Sequence, residues 1–494
     1  MSDAAPRPLT LSLISHTNVG KTTLARTLLR RDVGAVSDQA HVTDESEAHV
    51  LFAGDGAGPV LLWDTPGFGD SMRLLRRLRG ERQPVEWLLG QVWDRFADRP
   101  LWCSQQAVKN VRDEADLVLY LVNAAEEPAM AGYVDPEMEI LEWIGRPVIV
   151  LLNQTGEPRG PAAERAAIDR WRAHLARWSV VRDVRALDAF TRCWVQEGDL
   201  LVQIRDLLPA ERRPQMDAVL AAWRAESQRI FAAATARLAA LVAAAAADRE
   251  SLARDAWGTV ERPRAAEALA ERLEREVRAA TNALIELHGL AGEAAVRLRG
   301  RLEDVTAPEE AADPWRMGLL GGLAGGALGG LAADVATGGL SFGAGTVAGA
   351  LLGAMGLGGL AWGYRQLGDE EARVSWSPDL LDRLVRDALL RYLAVAHAGH
   401  GGGEFRERGS PDLPEAEQRD GGERASPDFW RAAAGAAVAA CAATLHALWA
   451  AAPAGEPAAA RDAARAQLEP LVAELARELL RAFYPSVDAH LGTR

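Results

Sequence analysis

The chain has 494 residues, of which 49% are apolar and 25% are charged. This length exceeds what one hydrophobic core usually organises, so it predicts two or three structural units, and the composition excludes wholesale disorder. The formal net charge of −14 argues against a protein that wraps nucleic acid, because phosphate binding needs a positive field. We therefore expect no nucleic-acid partner.

Residues 10–208 alternate short apolar runs with helical stretches, a pattern typical of a mostly parallel sheet with helices on both faces. The strand candidates are Leu11–Ser15, His49–Ala53, Val60–Asp64, Leu117–Asn123 and Val148–Asn153. Most of these runs are continuously apolar, as strands buried on both faces should be. The sequence thus predicts an α/β domain over residues 1–208.

The remainder of the chain is predicted to be largely α-helical. Residues 209–313 are rich in Ala, Arg and Glu with Leu at helical spacing, which indicates a helical domain. A glycine-rich apolar hairpin is predicted over residues 314–366. Residues 367–494 are predicted to be a C-terminal helical region with a polar linker near 400–427.

The loop after the first strand candidate predicts a phosphate site. Ser15–Thr22 matches the Walker A pattern, except that Ser15 stands where the first glycine is usual. In such a loop the backbone N–H groups surround the phosphates, Lys21 reaches the β- and γ-phosphates, and the Thr22 hydroxyl binds Mg²⁺. The candidate nucleotide-binding residues are Asn18, Val19, Gly20, Lys21, Thr22 and Thr23.

A second motif, Asp64–Gly67, follows the strand candidate Val60–Asp64. Its Asp-x-x-Gly spacing allows the Asp64 carboxylate to hold a metal through water and the Gly67 N–H to sense a γ-phosphate. An isolated Asp-Thr-Pro-Gly is an ordinary turn. Its position after a buried strand and about forty residues beyond the Walker A loop favours the functional interpretation.

Together, Asn18–Thr22 and Asp64–Phe68 resemble the Era/TrmE/septin branch of the P-loop GTPases, over about residues 9–208 only. The resemblance implies a P-loop GTPase fold that binds GTP and GDP with Mg²⁺ and hydrolyses GTP. It also implies a threonine, for which Thr43 is the candidate, that closes on Mg²⁺. Lys21, Thr43 and Gly67 are then the catalytic residues.

The resemblance raises one further point about hydrolysis. Phe68 stands where some GTPases carry a water-orienting glutamine, and an apolar side chain cannot polarise water. In TrmE-like members the asparagine that Asn18 matches helps to hold a K⁺ ion. The alternatives for Asn18 are K⁺-stimulated hydrolysis and a role only in shaping the loop.

Base recognition departs from the family pattern. Guanine selectivity normally needs Asn-Lys-x-Asp after the fifth strand, whereas this chain reads Asn153–Gly156 and has no carboxylate at Gly156. Asn153 and Gln154 are candidate base contacts, and the N–H groups of Ala186 and Leu187 are candidates to close the base pocket. Since a charge-assisted pair is lost, adenine binding or weak selectivity stays open beside guanine.

The predicted hairpin has glycines four residues apart, in rows that include Gly318–Gly330 and Gly345–Gly353. Such rows let two helices approach closely and are typical of membrane helix pairs. The arms Met317–Ala333 and Leu340–Ala361 are near the lower limit and the middle of the lengths that span a bilayer, with aromatic and basic residues at both ends. The alternatives for residues 317–364 are a membrane hairpin and a buried helical pair or homo-oligomer face in a soluble domain.

Location follows from the termini and cysteines. Residues 1–8 carry no secretory pattern, and Cys103, Cys193 and Cys441 lack metal-ligand spacing, so we expect a cytoplasmic protein that associates with the inner membrane if the hairpin inserts. The first functional hypothesis is a membrane-associated GTPase switch. The alternatives are a soluble Era-like assembly or RNA-processing GTPase and a nucleotide-binding scaffold with little turnover.

Overall fold

The computed structural model describes residues 7–17, 19–29, 46–52, 58–91, 98–155, 161–189, 192–253, 261–290, 298, 302, 360–363, 371–398, 425–451 and 457–492. The chain forms two compact units. Residues 1–228, 397–426 and 486–494 belong to the first unit, and residues 229–396 and 427–485 belong to the second. The domain limits at 208, 313 and 366 stay predictions from the sequence.

The first unit is built on a six-stranded sheet. Its strands are β1 Leu9–Ser15, β2 Glu47–Phe52, β3 Val60–Asp64, β4 Leu117–Asn123, β5 Val148–Asn153 and β6 Val181–Ala186. The order is β2-β3-β1-β4-β5-β6, and every neighbouring pair is parallel except β2 with β3. The predicted α/β fold with a mostly parallel sheet is confirmed, and β6 is a strand that the sequence did not indicate.

Helices connect these strands and cover the sheet. They are α1 Lys21–Leu29, α2 Ser71–Leu78, α3 Pro84–Gly90, α4 Arg99–Asp113, α5 Val134–Ile144, α6 Pro161–Leu175 and α7 Trp194–Leu207. Tyr120 and its neighbours two residues away in β4 pack into one hydrophobic core with residues of α2 to α5. The alternating residues Leu119 and Leu121 are equally buried. Since successive strand residues point to opposite faces, both faces of the sheet are covered.

Local signals fix the helices next to the predicted site. The Asp70 side chain accepts a hydrogen bond from the Arg73 N–H and so caps the start of α2. Gly145, with φ of 77°, ends α5 in the left-handed conformation that glycine adopts without steric cost. These caps set where α2 begins and where α5 ends.

The second unit is mainly helical. Its helices are α8 Arg213–Ala247, which begins in the first unit, α9 Glu261–Leu287, and the helices Pro378–Ala396, Ala425–Ala440, Ala442–Ala450 and Pro457–Phe483. Buried apolar residues of α9 recur three or four positions apart, at Leu269, Leu273, Val277, Ala280 and Leu284. This is the spacing of a helix with one core-facing side.

A small antiparallel sheet in the second unit was not predicted. It consists of β7 Arg249–Ala253, β8 Leu360–Gly363 and β9 Glu371–Trp376 in the order β7-β9-β8. β8 corrects the sequence interpretation at one end of the hairpin: residues 360–361 are extended and paired with β9, not helical. The rest of the predicted hairpin lies outside the described residues. Residues 400–424 of the predicted linker 400–427 also lie outside the described residues, and a helix begins at Ala425.

Within the described part of the chain, one helix is long and apolar enough to cross a membrane by length and composition. It is α8, and 61% of its most apolar stretch is buried inside the protein, as in a core helix. Phe429–Ala440 and Ala442–Ala450 meet the same criterion only as one span bent by 62°. These features are weak support for a membrane protein, and they lie outside the hairpin that the sequence singled out.

Candidate phosphate-binding site

The loop between β1 and α1 has the backbone of a phosphate cradle. Gly20 has φ of 92°, and a Cβ placed on it would lie 2.7 Å from the Asn153 Nδ2 atom. Only glycine meets both conditions without strain. Val19, the preceding residue, is buried, and its carbonyl accepts a hydrogen bond of 2.7 Å from the same amide. The loop is therefore held in place by the end of β5.

Lys21, the first residue of α1, is buried, with 8% of its surface exposed. Its Nζ atom donates a hydrogen bond of 3.1 Å to the Ser15 hydroxyl. Burial lowers the pKa of Lys21, against the attraction of Asp64 and Glu137, which raises it. The hydroxyl of Ser15, at the position of the usual glycine, thus gives the ammonium group a partner within the loop.

Thr22 and Asp64 meet beside Lys21. The Thr22 hydroxyl donates a hydrogen bond of 2.7 Å to Asp64 Oδ2. Asp64 is 3% exposed, and its Oδ1 atom has no hydrogen-bond partner among the described residues. Burial raises the pKa of Asp64, against the Thr22 hydrogen bond and the charge of Lys21. A buried carboxylate oxygen without a partner beside a threonine hydroxyl fits a divalent cation, since both are oxygen ligands.

Gly67 lies against the phosphate loop. A Cβ on Gly67 would be 2.8 Å from Lys21 Nζ and 3.1 Å from the Thr17 Cα atom. The next residue, Phe68, is wholly buried; its N–H donates to the Ser15 carbonyl, and its carbonyl accepts from the Thr17 N–H and hydroxyl. The two sequence motifs therefore come together by backbone pairing, which brings the Gly67 backbone next to Lys21.

The Asn153 side chain forms hydrogen bonds with two loops. Its Nδ2 donates to the Val19 carbonyl at 2.7 Å, and its Oδ1 accepts from the Ala189 N–H at 2.8 Å. The residue is fully buried at the end of β5. Asn153 thus joins the phosphate loop to the loop after β6, and a further contact of its amide with a base stays a prediction.

The loop after β6 carries the predicted base-pocket residues. The Leu187 N–H donates to the Leu152 carbonyl and so continues the sheet, and its contact with a base stays a prediction. Ala186 is the last residue of β6. Asp188, which the sequence did not single out, is buried and accepts from the Thr155 N–H at 2.6 Å and from the Thr155 hydroxyl at 3.0 Å.

Two other predicted contacts lie at the same edge of the sheet. Gln154 has φ of 57°, uncommon for a residue with a side chain, and its Nε2 atom is 3.9 Å from the position of a Cβ on Gly20. Thr23 is buried in the first turn of α1. Asn18, Thr43 and Gly156 lie outside the described residues, so their predicted roles stay predictions.

The structure adds a polar group that the sequence did not indicate. Glu137 of α5 is fully buried behind the loop, bonded to His16 and to Tyr120. Glu137 is one of four acidic residues of α5, so nothing in the sequence distinguished it from the others. Among the described residues no group of three or more His, Cys, Asp or Glu side chains is placed to hold a metal.

Two family models match the chain. The model described as "Domain of unknown function (DUF3482)" matches residues 172–470, and the model described as "50S ribosome-binding GTPase" matches residues 10–154. The second match covers β1 to β5 with both sequence motifs and identifies a GTP-binding domain of the Era-like P-loop type. No curated protein matches the chain.

Among solved structures the chain is similar to Era. One structure holds Era with MgGDPNP and part of 16S ribosomal RNA, at 18% identity and a TM-score of 0.30; the other holds Aquifex aeolicus Era with a single substitution and bound GDP·AlF₄⁻, at 19% identity and a TM-score of 0.30. Each match covers 40% of this chain and 56% of Era, which is less than two thirds of the Era chain.

Proposed function

The chain belongs to the DUF3482 family and carries an Era-like P-loop GTPase domain, and from this premise we propose that it hydrolyses GTP to GDP and phosphate as a Mg²⁺-dependent, membrane-associated switch. GTP hydrolysis in general is the activity of the GTPase family that matches residues 10–154. The dependence on Mg²⁺, the switching and the membrane belong to the proposal.

The observation that carries the proposal is the convergence of a buried ammonium, a hydroxyl and a carboxylate at the start of α1. Lys21 Nζ donates a hydrogen bond of 3.1 Å to the Ser15 hydroxyl of the loop. The Thr22 hydroxyl donates one of 2.7 Å to Asp64 Oδ2. The N-terminus of a helix favours anions, because its first N–H groups have no partners within the helix. A triphosphate gives Lys21 a stronger acceptor than the Ser15 hydroxyl.

Thr22 and Asp64 are the residues that would hold Mg²⁺, with Thr43 as the further ligand that the resemblance implies. When bound, the ion would supply positive charge against the β- and γ-phosphate oxygens. The chain's own contribution is to place the Asp64 carboxylate beside the Thr22 hydroxyl and the Lys21 ammonium, which favour its charged form against the burial that raises its pKa. Turnover should then stop when EDTA removes divalent cations and return when Mg²⁺ is added in excess.

The organisation of the attacking water needs a group other than Phe68. That side chain is wholly buried and offers no polar atom. We propose that Asn18 helps to bind a K⁺ ion which takes this part. Hydrolysis should be several-fold faster in K⁺ than in Na⁺ buffer of the same ionic strength; equal rates in the two buffers would exclude this role.

Guanine is the proposed base, with selectivity lower than in GTPases that carry the complete Asn-Lys-x-Asp motif. Asn153 and Gln154 are present at the end of β5, whereas residue 156 supplies no carboxylate. Competition of unlabelled GTP and ATP against a fluorescent GDP measures this selectivity. A preference for ATP would replace guanine by adenine in the proposal.

Membrane association is proposed from the sequence of residues 317–364. In a deletion variant, a short Gly-Ser linker replaces residues 317–357. This variant retains β8, which pairs with β9. Full-length protein should sediment with inner-membrane vesicles, and the deletion variant should stay in the supernatant with its hydrolysis intact. If both variants stay in the supernatant, the soluble alternative replaces the membrane role.

Nucleic acid is not among the proposed partners. One of the similar structures contains Era with ribosomal RNA, but the net charge of −14 opposes binding to phosphate backbones in this chain. The helical region is the proposed output of the switch, through homo-oligomerisation or action on the membrane. Light scattering with GDP and with a slowly hydrolysed GTP analogue tests whether the nucleotide changes the oligomeric state.

A further inference from the structure

The helix α2 carries a basic face on its exposed side. Its buried side packs into the core of the first unit through three leucines, Leu74, Leu75 and Leu78. The opposite side is exposed at Met72, Arg76 and Arg77. Arg82, four residues beyond the helix, is exposed as well. We call Arg76, Arg77 and Arg82 the arginine patch.

The arginine patch has no carboxylate partner among the residues that the structure describes. The two other arginines of this segment are paired: Arg73 donates to Asp98 at 3.2 and 2.7 Å, and Arg79 donates to Glu139 at 3.0 and 2.6 Å. Residues 71–82 thus contain five arginines and one glutamate, in a chain whose net charge is −14. The three guanidinium groups of the patch are available to an anion outside the protein.

The helix that presents the patch is held at both ends. The Asp70 side chain caps its start by accepting a hydrogen bond of 2.9 Å from the Arg73 N–H. The ion pair between Arg79 and Glu139 joins its end to α5. Since the backbone under the patch is already ordered, docking costs only the ordering of the arginine side chains.

The chemistry of the patch fits lipid phosphate groups. A guanidinium group can bind a phosphate through two parallel hydrogen bonds. Met72, on the same exposed side of α2, is 52% exposed and offers an apolar contact beside the arginines. Basic side chains next to an exposed apolar one suit the boundary between lipid headgroups and acyl chains.

The net charge of the chain makes a local basic face important for contact with an anionic bilayer. Repulsion of the −14 charge is screened over about 8 Å at physiological ionic strength. Within that range, the charge of the side chains that face the lipid decides between attraction and repulsion. Each arginine close to an anionic surface strengthens binding by about fivefold, so three strengthen it on the order of a hundredfold.

A nucleic acid suits the patch less well than lipid does. A protein that binds a duplex commonly makes about six to ten phosphate contacts, and three arginines supply fewer. A bilayer demands less of the patch, because residues 317–364 are proposed to add an apolar contact. Two membrane signals that are weak alone give stable association together.

We propose that the arginine patch docks on the phosphate groups of an anionic lipid bilayer, as a second membrane contact beside residues 317–364. This inference rests on the proposed membrane association and deepens it, because it names the class of lipid and the face of the first unit that meets it.

Partition onto lipid vesicles tests the proposal. The full-length wild type is compared with a variant that combines Arg76→Gln, Arg77→Gln and Arg82→Gln. Each protein is sedimented with vesicles of phosphatidylcholine alone and with vesicles in which about a third of the lipid is phosphatidylglycerol. Equal melting temperatures of the two proteins are expected, since all three side chains are exposed, and they show that the fold is intact.

The wild type should partition at least about tenfold more strongly onto the anionic vesicles than onto the neutral ones. The triple variant should lose between about tenfold and about a hundredfold on anionic vesicles and less than about twofold on neutral vesicles. At about 1 M salt, where the screening length falls to about 3 Å, the two proteins should bind alike. Equal partition of the two proteins onto anionic vesicles at physiological salt would overturn the proposal.

A variant with three other arginines replaced is the matched control. Arg170, Arg172 and Arg177 lie in or just after α6, with side chains 53–54% exposed, and each lies within ion-pair distance of an acidic residue. Replacing them by glutamine changes the net charge by the same amount. The control should lose less than about threefold on anionic vesicles, and a loss equal to that of the triple variant would assign the effect to net charge and refute the patch.

RNA is the competing ligand. A labelled single-stranded RNA is titrated against both proteins at the same salt concentration. The proposal predicts no difference between the wild type and the triple variant in this assay. RNA binding that the triple variant loses, with unchanged partition onto vesicles, would make the patch a nucleic-acid site and overturn the assignment to lipid.

The variant that lacks residues 317–357 separates failure of the patch from failure of the proposed membrane association. If the wild type binds neutral and anionic vesicles equally and the deletion abolishes both, the membrane role stands and the patch falls. If the deletion variant keeps a preference for anionic vesicles that the arginine substitutions remove, the patch stands and the role of residues 317–364 falls. If the wild type binds neither kind of vesicle, both proposals fall.

Discussion

Replacement of Gly67 by alanine tests how closely the two motifs must approach. The new Cβ would lie 2.8 Å from Lys21 Nζ, which is about 0.6 Å short of the 3.4 Å at which ordinary contact begins. It would also lie 3.1 Å from the Thr17 Cα and 3.2 Å from the Thr17 nitrogen. The ammonium group can swing aside, whereas the Thr17 backbone is fixed by its hydrogen bonds to Phe68.

The expected result is a loss of turnover larger than the loss of binding. A displacement of about half an ångström in Lys21 or in the Gly67 backbone lowers kcat between about tenfold and about a hundredfold, since misplacement by about 1 Å can cost about a hundredfold. The affinity for GDP, which has no γ-phosphate for Gly67 to sense, should fall by less than about threefold. Stopped-flow binding of a fluorescent GDP and a phosphate-release assay measure the two quantities.

Gly132→Ala is the control for this substitution. A Cβ on Gly132 meets nothing within 4 Å, and the residue belongs to neither motif. Its kcat and melting temperature should match those of the wild type. A Gly67→Ala protein with wild-type kcat would refute the close approach of the two loops as a condition for hydrolysis.

Three further predictions concern charge. Burial raises the pKa of Asp64. The contribution of Asp64 to stability is therefore complete below the usual aspartate pKa of about 4 and is lost as the pH rises through the pKa of the folded state. Asp64→Asn should melt at a higher temperature than the nucleotide-free wild type near pH 7, lose this difference towards about pH 4, and show no Mg²⁺-dependent turnover. In the second unit, burial raises the pKa of Asp387 to about 6, against the charge of Arg391. The contribution of Asp387 to stability is therefore complete below about pH 4 and is lost as the pH rises through about 6. In urea unfolding the wild type should lose stability relative to Asp387→Asn between about pH 4 and about pH 7, and a difference independent of pH would contradict the raised pKa. Gly156→Asp should raise the preference for GTP over ATP by at least about tenfold in competition binding, and an unchanged ratio would exclude residue 156 from base recognition.

Continuous apolar runs made the central sheet predictable. β3, β4 and β5 have the bounds expected from the sequence, because strands buried on both faces leave long apolar stretches between turn residues. β6, Val181–Ala186, carries Arg182, Asp183 and Arg185 and has only one fully buried position. Its membership in the sheet depends on pairing with β5, which the residues of β6 do not reveal by themselves.

The small sheet of the second unit was unpredictable for a related reason. β7 ends at Ala253 and its partner β9 begins at Glu371, so the pairing joins segments more than a hundred residues apart. Both strands are short, and β7 is largely polar. Tertiary pairing, not local preference, determines such strands.

The candidate site was predictable where backbone geometry demands particular residues. Gly20, Lys21, Thr22 and Asp64 follow from the spacing of the two motifs, and the structure brings these residues together. The bonds of Glu137 were not predictable, since a buried acidic residue on a helix is recognised only once its partners are known.

The central claim is that the loop from Ser15 to Thr22 binds a purine triphosphate through Lys21. Isothermal titration calorimetry of the full chain with Mg·GTP, beside the Lys21→Ala variant at equal melting temperature, tests it most directly. The account predicts saturable heat of binding for the wild type and none for Lys21→Ala. Equal binding by the two proteins, or no triphosphate binding by the wild type, would contradict it.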